Sequence, residues 1–255
     1  MADADEYEGA GARYYDPTYA LLRDPSGDAA FYRALAHESG GPVLELGCGT
    51  GRVLLPIARA GIAATGLDRS GAMLAALRAK DPPPHLHLVC APMQDFDLGG
   101  ARFALVFAAF RALQHLHTVD DQLACLRAVR RHLAPGGRFA FDVFHPDPAR
   151  TARPREPEEA DARWVQDGCE VIRFVTVTRD VATQTLTAAL RYERRHGGAV
   201  VGVEHERVRM RWFHRFELEH LLARAGFTIE RLLGTFDGRP FDADAPEIVI
   251  VARAE

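Results

Sequence analysis

The sequence predicts a doubly wound α/β fold carrying an antiparallel β insertion after its fifth strand. Residues 43–52, Val-Leu-Glu-Leu-Gly-Cys-Gly-Thr-Gly-Arg, run an apolar strand straight into a glycine turn. Strand-like and helix-like segments then alternate to about residue 143, as a parallel sheet covered on both faces requires. From residue 171 to 212 the hydrophobic period changes to two, the pattern of antiparallel strands with one buried face.

The elements follow in order. Residues 1–11 are acidic and rich in Ala and Gly, wrong for a secretory leader, and are expected to be disordered at first. Tyr14, Tyr15, Asp16 and Tyr19 are expected to precede the first helix, in an N-terminal segment that ends at residue 41. Val43, Leu44 and Leu46 suit a buried first strand. Gly47, Gly49 and Gly51 let the backbone turn tightly and come close to a ligand, since no Cβ intervenes. Val53, Leu54, Leu55 and Ile57 open a helix whose N-terminal amides face that turn.

Residues 63–68, 86–90, 103–108 and 138–143 supply four further strands. Thr118 with Asp121 caps a helix carrying Leu123, Leu126, Val129 and Leu133, stopped by Ala-Pro-Gly-Gly at 134–137. Residues 145–162, rich in Pro, Arg and Glu, read as an exposed loop. Three antiparallel strands follow around residues 171–178, 185–192 and 207–212, with Gly197-Gly198 as a hairpin signal. A helix at 217–224 closes at Gly226, and strands at 228–233 and 248–252 finish the sheet. The expected organisation is therefore an N-terminal segment (1–41), a ligand-binding domain (42–144 and 216–255) and a β insertion (145–215).

Composition sets outer limits. With 255 residues, 47% hydrophobic, 26% charged and a net charge of −4, the chain is an ordinary globular one with no broad nucleic-acid footprint. Cys48, Cys90, Cys125 and Cys169 lie far apart without metal spacing, as in reduced cytosolic thiols, and no apolar run reaches membrane length. A soluble, cytoplasmic protein is expected.

The turn also selects its ligand. Its spacing is Gly-x-Gly-x-Gly, not the Gly-x-Gly-x-x-Gly of dinucleotide enzymes, which disfavours a dehydrogenase. Glu45, just before the turn, would repel a pyrophosphate but suits an amino group. Asp68 ends the second apolar run, where an acid commonly holds ribose hydroxyls. A ligand with a ribose, an ammonium group and no pyrophosphate satisfies all three.

This set resembles the class I S-adenosylmethionine-dependent methyltransferases, over residues 42–143 and 216–253. Glu45 to Gly51 is similar to their first motif and Asp68 to their second-strand acid; His132-Leu-Ala-Pro-Gly-Gly-Arg-Phe resembles the segment before strand five. The resemblance implies a Rossmann-like seven-stranded sheet ending in an antiparallel hairpin. It also implies S-adenosylmethionine as cofactor, and in-line methyl transfer to nitrogen or oxygen of a small-molecule acceptor. A narrower likeness is to sugar N-methyltransferases and glycine N-methyltransferase-like enzymes, which share a Tyr-rich N-terminus and a β lid after strand five.

The cofactor-binding residues expected on this basis are Tyr14, Glu45, Gly47, Cys48, Gly49, Gly51, Asp68, Arg69, Met73, Met93, Gln94 and Phe110. One position departs from the family: Pro92 stands where an acid often binds the adenine amino group. Met93 is expected to bring its backbone to the adenine edge, with Gln94 or a carbonyl taking the amino contact and Asp95 either a substitute acid or a turn residue. Cys48 is in the loop as a small side chain.

Such a transfer needs alignment and exclusion of water more than covalent help. Tyr14 is the tyrosine expected to close over the cofactor, by cation–π attraction to the sulfonium or a bond to the methionyl carboxylate; packing of the N-terminal helix is the alternative. Phe110, Arg111, Gln114 and His115 are expected beside the methyl. Arg111 pairs with a substrate anion or with a lid acid, and His115 is the first candidate base, ahead of His117 and His214. The catalytic set is thus His115, Arg111 and Tyr14. The insertion's arginines could attract an anionic substrate, but interleaved with Glu193, Glu204 and Glu206 they read rather as a self-paired solvated face. Asp142 has no second acid nearby, so no metal is expected. The apolar face of the insertion invites a homodimer. The rival readings are aminopropyl transfer, a macromolecular substrate and a catalytically silent ligand-binding protein.

Overall fold

In the computed structural model, residues 6–22 and 25–255 are described. They divide into a small unit, residues up to 25 with Asp147–Arg211, and a large unit, Ser26–Pro146 with Trp212–Glu255. In chain order the elements are α1 (Ala10–Leu22), α2 (Pro25–Ser39), β1 (Val43–Leu46), α3 (Leu54–Arg59), β2 (Ala64–Asp68), α4 (Gly71–Arg78), β3 (Leu86–Cys90) and β4 (Phe103–Ala108). A 3-10 turn (Ala112–His115) precedes α5 (Val119–His132), β5 (Leu133–Phe144) and α6 (Pro148–Thr151). Then come β6 (Arg155–Gln166), β7 (Cys169–Asp180), β8 (Thr185–His196), β9 (Ala199–Arg211), α7 (Arg215–Arg224), β10 (Phe227–Leu233) and β11 (Glu247–Ala254).

The large unit is a seven-stranded sheet in the order β3-β2-β1-β4-β5-β11-β10. β1 to β5 are parallel, whereas β11 runs antiparallel to both β5 and β10. All four residues of β1 are buried, as expected of a parallel strand covered on both faces. Successive residues face opposite layers: Leu44 and Leu46 join the cluster with Leu126, Phe139 and Phe141, while Val43 joins Tyr32, Leu54 and Phe107. α5 forms as its pattern dictates, with Thr118 Oγ1 accepting the Asp121 amide at 3.1 Å and Leu123, Leu126 and Val129 buried. The order of winding reverses between the parallel neighbours β1 and β4, so the loops after these two strands border one crevice.

The small unit is an antiparallel meander, β6-β7-β8-β9. The residues expected as a loop at 145–162 instead hold α6 and most of β6. Pro148 is admissible because it begins α6, where no amide is needed, and Asp147 caps it by accepting the Ala149 amide at 2.7 Å. Pro157 is admissible because β6 is an edge strand. Two register shifts, between Glu156 and Glu159 and between Ala160 and Ala162, erase the period-two pattern. The strand's acids pair across the sheet: Glu156 with Arg179 at 3.0 Å, Asp161 with Arg173 at 2.5 Å and Glu158 with Arg191 at 2.8 Å. Arg195 pairs with Glu193 and Arg194 with Glu204, which is the self-paired arrangement expected of this face.

The N-terminal expectations need two corrections. Residues 1–5 of the segment expected to be disordered lie outside the described residues. From Glu6 onward the chain docks within its unit: Glu6 Oε1 accepts the Arg209 amide, and Glu206 Oε1 accepts the Tyr7 amide, both at 2.7 Å. Tyr14, Tyr15 and Tyr19 do not precede the first helix but lie in it. Pro17 suggests a break, yet Tyr15 and Tyr19, one turn apart, stack at 4.2 Å across it. α2, expected to belong with the N-terminal segment, is grouped with the large unit.

Candidate functional site

The turn after β1 takes the left-handed geometry its glycines permit: φ is 68° at Gly47, 52° at Gly49 and 81° at Gly51. The Gly47 and Cys48 amides donate to Leu67 O at the end of β2, at 2.7 and 3.0 Å. Asp68 then clasps both sides of the crevice floor, its Oδ2 accepting the Gly49 amide at 2.7 Å and its Oδ1 the Ser70 amide at 2.8 Å. Burial nonetheless raises the Asp68 carboxyl above its ordinary range, against those two bonds.

Glu45 is buried, and its Oε2 has no hydrogen-bond partner. Burial pushes its carboxyl well above the usual range; Arg52 opposes this, while Asp68 and Asp28 add to it. A buried carboxylate with one unpartnered oxygen beside a glycine turn is the feature a cationic ligand would complete. The turn has little spare room elsewhere: a Cβ on Gly47 would lie 2.9 Å from Ala112 Cβ and 3.6 Å from Met93 Cε, and one on Gly49 would lie 3.8 Å from Met73 Cε. The two expected methionines therefore both reach this loop. Met73 is buried in α4, where its amide donates to Ser70 Oγ at 3.0 Å.

Other expected residues are placed differently. The Cys48 side chain points inward into the core, and a Cβ on Gly66 would sit 2.8 Å from its sulfur, so only its backbone faces the turn. Arg69 is exposed just after Asp68. Pro92 to Asp95 form a turn closed by the Asp95 amide on Pro92 O at 3.2 Å, which leaves Met93 and Gln94 half-buried at its centre and Asp95 exposed. His115 ends the 3-10 turn, near enough to Asp68 to favour its charged form. Gln114 is buried with its Oε1 on the Phe144 amide at 3.2 Å, and His214 is exposed at the N-cap of α7. Tyr14 belongs to the small unit; its hydroxyl donates to Glu204 Oε1 at 2.7 Å and its ring packs on Tyr192 and Trp164.

Arg111 corrects one expectation. Its partner is not an acid of the insertion but Glu247, at the start of β11, at 2.9 Å. Arg111→Ala is expected to lower stability by about 1–2 kcal/mol, between the values of an exposed and a fully buried pair, since Glu247 is buried and Arg111 only partly so. Thermal melting measures this; an unchanged melt with lost acceptor turnover would instead assign Arg111 to the substrate.

Three residues take roles that the sequence reading did not assign to them. Arg52, the residue after the glycine turn, is bidentate on buried Asp28 of α2, at 2.8 and 2.5 Å. Its guanidinium lies 5.3 Å from the Phe110 ring. Asp142 and Tyr32, both buried, are bonded to each other at 2.8 Å. An acid inside the apolar run Phe-Ala-Phe-Asp-Val-Phe could have signalled Asp142, because a buried carboxylate requires donors. Nothing in the pattern signals Tyr32. Among the described residues, no group of three or more His, Cys, Asp or Glu side chains could hold a metal ion.

Comparison with known proteins decides what this crevice serves. Residues 43–137 match the profile of the methyltransferase domain family. The whole chain is similar to the CcbJ methyltransferase from Streptomyces caelestis, with a TM-score of 0.85 and 31% identity, covering 99% of each chain. The chain belongs to the class I S-adenosylmethionine-dependent methyltransferases. This methyltransferase is also 27% identical to the cypemycin N-terminal methyltransferase of a Streptomyces species, over 98% of each chain. It is 28% identical to the dTDP-3-amino-3,6-dideoxy-α-D-glucopyranose N,N-dimethyltransferase of Streptomyces fradiae, over 92% of this chain and 90% of that one. Its cofactor is S-adenosylmethionine, whose positive charge the unpartnered Oε2 of buried Glu45 suits. Among the described residues, no helix is long and apolar enough to cross a membrane.

Proposed function

We propose that this methyltransferase places a methyl group on an amine nitrogen of a small-molecule acceptor. The observation that carries the reading is similarity over 92% of this chain to an enzyme named as an amino-sugar N,N-dimethyltransferase. Both guanidiniums near Phe110 are paired with carboxylates of the chain, Arg52 with Asp28 and Arg111 with Glu247. S-adenosylmethionine supplies an electrophilic methyl on a sulfonium with an excellent leaving group. The chain's task is then to hold an amine lone pair in line with that methyl, keep water out and take away the proton the amine loses. In this reading Glu45 receives the cofactor's ammonium and Asp68 its ribose hydroxyls. The backbone at Gly47, Gly49 and Gly51 bounds the methionyl arm, and Met93 and Gln94 meet the adenine edge. Phe110 would face the methyl and His115 would accept the proton.

Incubation with methyl-labelled S-adenosylmethionine and three acceptors tests this: an amino-sugar nucleotide, a peptide with a free N-terminus and a phenol. Mass spectrometry should locate the methyl on nitrogen. Transfer to the phenol alone would replace the reading by oxygen methylation.

The Glu45 role has its own consequence. Because its pKa is raised in the fold, its contribution to stability is present below the ordinary carboxylate range and is lost as pH rises through the raised value. A cationic ligand needs the ionised form, so S-adenosylhomocysteine should bind with release of a proton, and more weakly as pH falls below that raised value. Calorimetry in buffers of different ionisation enthalpy reads the released proton. Proton release that persists in Glu45→Gln would assign it to another group.

A further inference from the structure

The segment leaving β4 turns through two consecutive left-handed residues, Phe110 at φ 51° and Arg111 at φ 66°. Each carries a Cβ, for which this region is sterically unfavourable, and two in succession persist only where their surroundings impose them. Asp142 is the group that imposes them. It stands near the end of β5, fully buried. Its Oδ1 accepts the Phe110 amide at 2.8 Å and its Oδ2 the Arg111 amide at 3.1 Å. The Tyr32 hydroxyl of α2 donates to the same Oδ1 at 2.8 Å. Tyr32 is itself held, buried and stacked on Phe107 of β4 with centroids 5.0 Å apart. One carboxylate thus joins β5, α2 and the turn after β4. The turn in turn fixes where the Phe110 ring stands, with the Arg52 and Arg111 guanidiniums 5.3 and 5.6 Å from its centroid.

We propose that Asp142 is a positioning residue for methyl transfer: by holding both amides it locks the left-handed turn and aims Phe110 at the transferring methyl. The proposal rests on the reading above in which the segment after β4 faces that methyl. Asparagine cannot substitute fully. Its oxygen could keep one amide and the Tyr32 hydroxyl, but its own NH2 would then confront the other amide, donor against donor.

The experiment uses the full chain and needs no acceptor. The NMR shift of S-adenosylmethionine labelled with carbon-13 in its methyl group reports any aromatic ring beside that methyl in the bound state. Phe110→Ala should move the signal. Asp142→Asn should move it in the same direction, with cofactor affinity held within about threefold, since Glu45 and the glycine turn are untouched. In the cofactor-free protein, Asp142→Asn should speed amide exchange at Phe110 or Arg111 by about 10- to 100-fold, the value of a lost bond to a charged acceptor. If Asp142→Asn does not fold, Tyr32→Phe decides, because it removes one donor from the carboxylate and should give a smaller shift of the same sign. A signal moved by Phe110→Ala but by neither Asp142→Asn nor Tyr32→Phe overturns the positioning role alone. A signal indifferent to Phe110→Ala overturns the placement of the turn beside the methyl, and the proposal with it.

Discussion

Valine at position 49 is expected to eliminate measurable S-adenosylhomocysteine binding. Gly49 adopts φ 52°, where a β-branched residue costs about 1–3 kcal/mol. The first added carbon would meet only Met73 Cε, at an ordinary 3.8 Å. The damage comes from the preferred backbone of valine, which pulls the amide away from Asp68 Oδ2, and from two further methyl groups in a turn that must admit a ligand. Together these predict a Kd at least about 100-fold weaker by calorimetry. Gly61→Val is the matched control: Gly61 has φ 87° with nothing within 4 Å of its would-be Cβ, so it takes the backbone strain without touching the turn. Its melting temperature should fall while its affinity stays. Equal loss of binding in both variants would assign the effect to general strain, and normal affinity in Gly49→Val would remove the turn from the cofactor site.

The second large effect concerns stability. The Asp28 side chain is fully buried and that of Arg52 is 15% exposed. Removing one member of such a pair strands the other charge, at a cost of about 3–5 kcal/mol. Arg52→Met should therefore lower the melting temperature by about 10 °C in a chain of this size. The double variant Asp28→Leu with Arg52→Met should regain most of that loss, since two apolar side chains leave no charge stranded. Scanning calorimetry of the two variants and of Asp28→Leu closes the cycle. Additive losses would mean that the pair is not coupled. Arg52 also lowers the Glu45 pKa, so Arg52→Met should weaken S-adenosylhomocysteine at neutral pH beyond any effect on folding.

The large unit was legible because its signals are local. Val43 to Gly51 spells strand and turn in nine residues, and Thr118 with Asp121 marks a helix start that the structure reproduces. The strand β6 was not legible, because two register shifts and paired acids disguise it as a polar loop. Asp167-Gly168, both left-handed, was the available hairpin signal that would have recovered it. The Arg111 partner was also out of reach, since Glu247 lies 136 residues along the chain. The same holds for Asp142 and Tyr32, 110 residues apart. Long-range pairings of single side chains leave no periodic trace.

Strand order has a consequence for how the chain assembles. Each strand of the meander pairs with its neighbour in sequence, so this sheet can form by successive hairpins with little loop closure. The seven-stranded sheet cannot. β11 sits between β5 and β10, and β10 has no other partner in the sheet. Synthesis therefore delivers the meander complete, together with β10, before the strand that gives β10 its place exists. During that interval β5 offers an open, largely apolar edge, a surface prone to pairing with other chains. The step that ends this exposure is the docking of Glu247–Ala254, and Arg111, reaching Glu247 at the head of that strand, links the completion of the sheet to the residues beside its crevice.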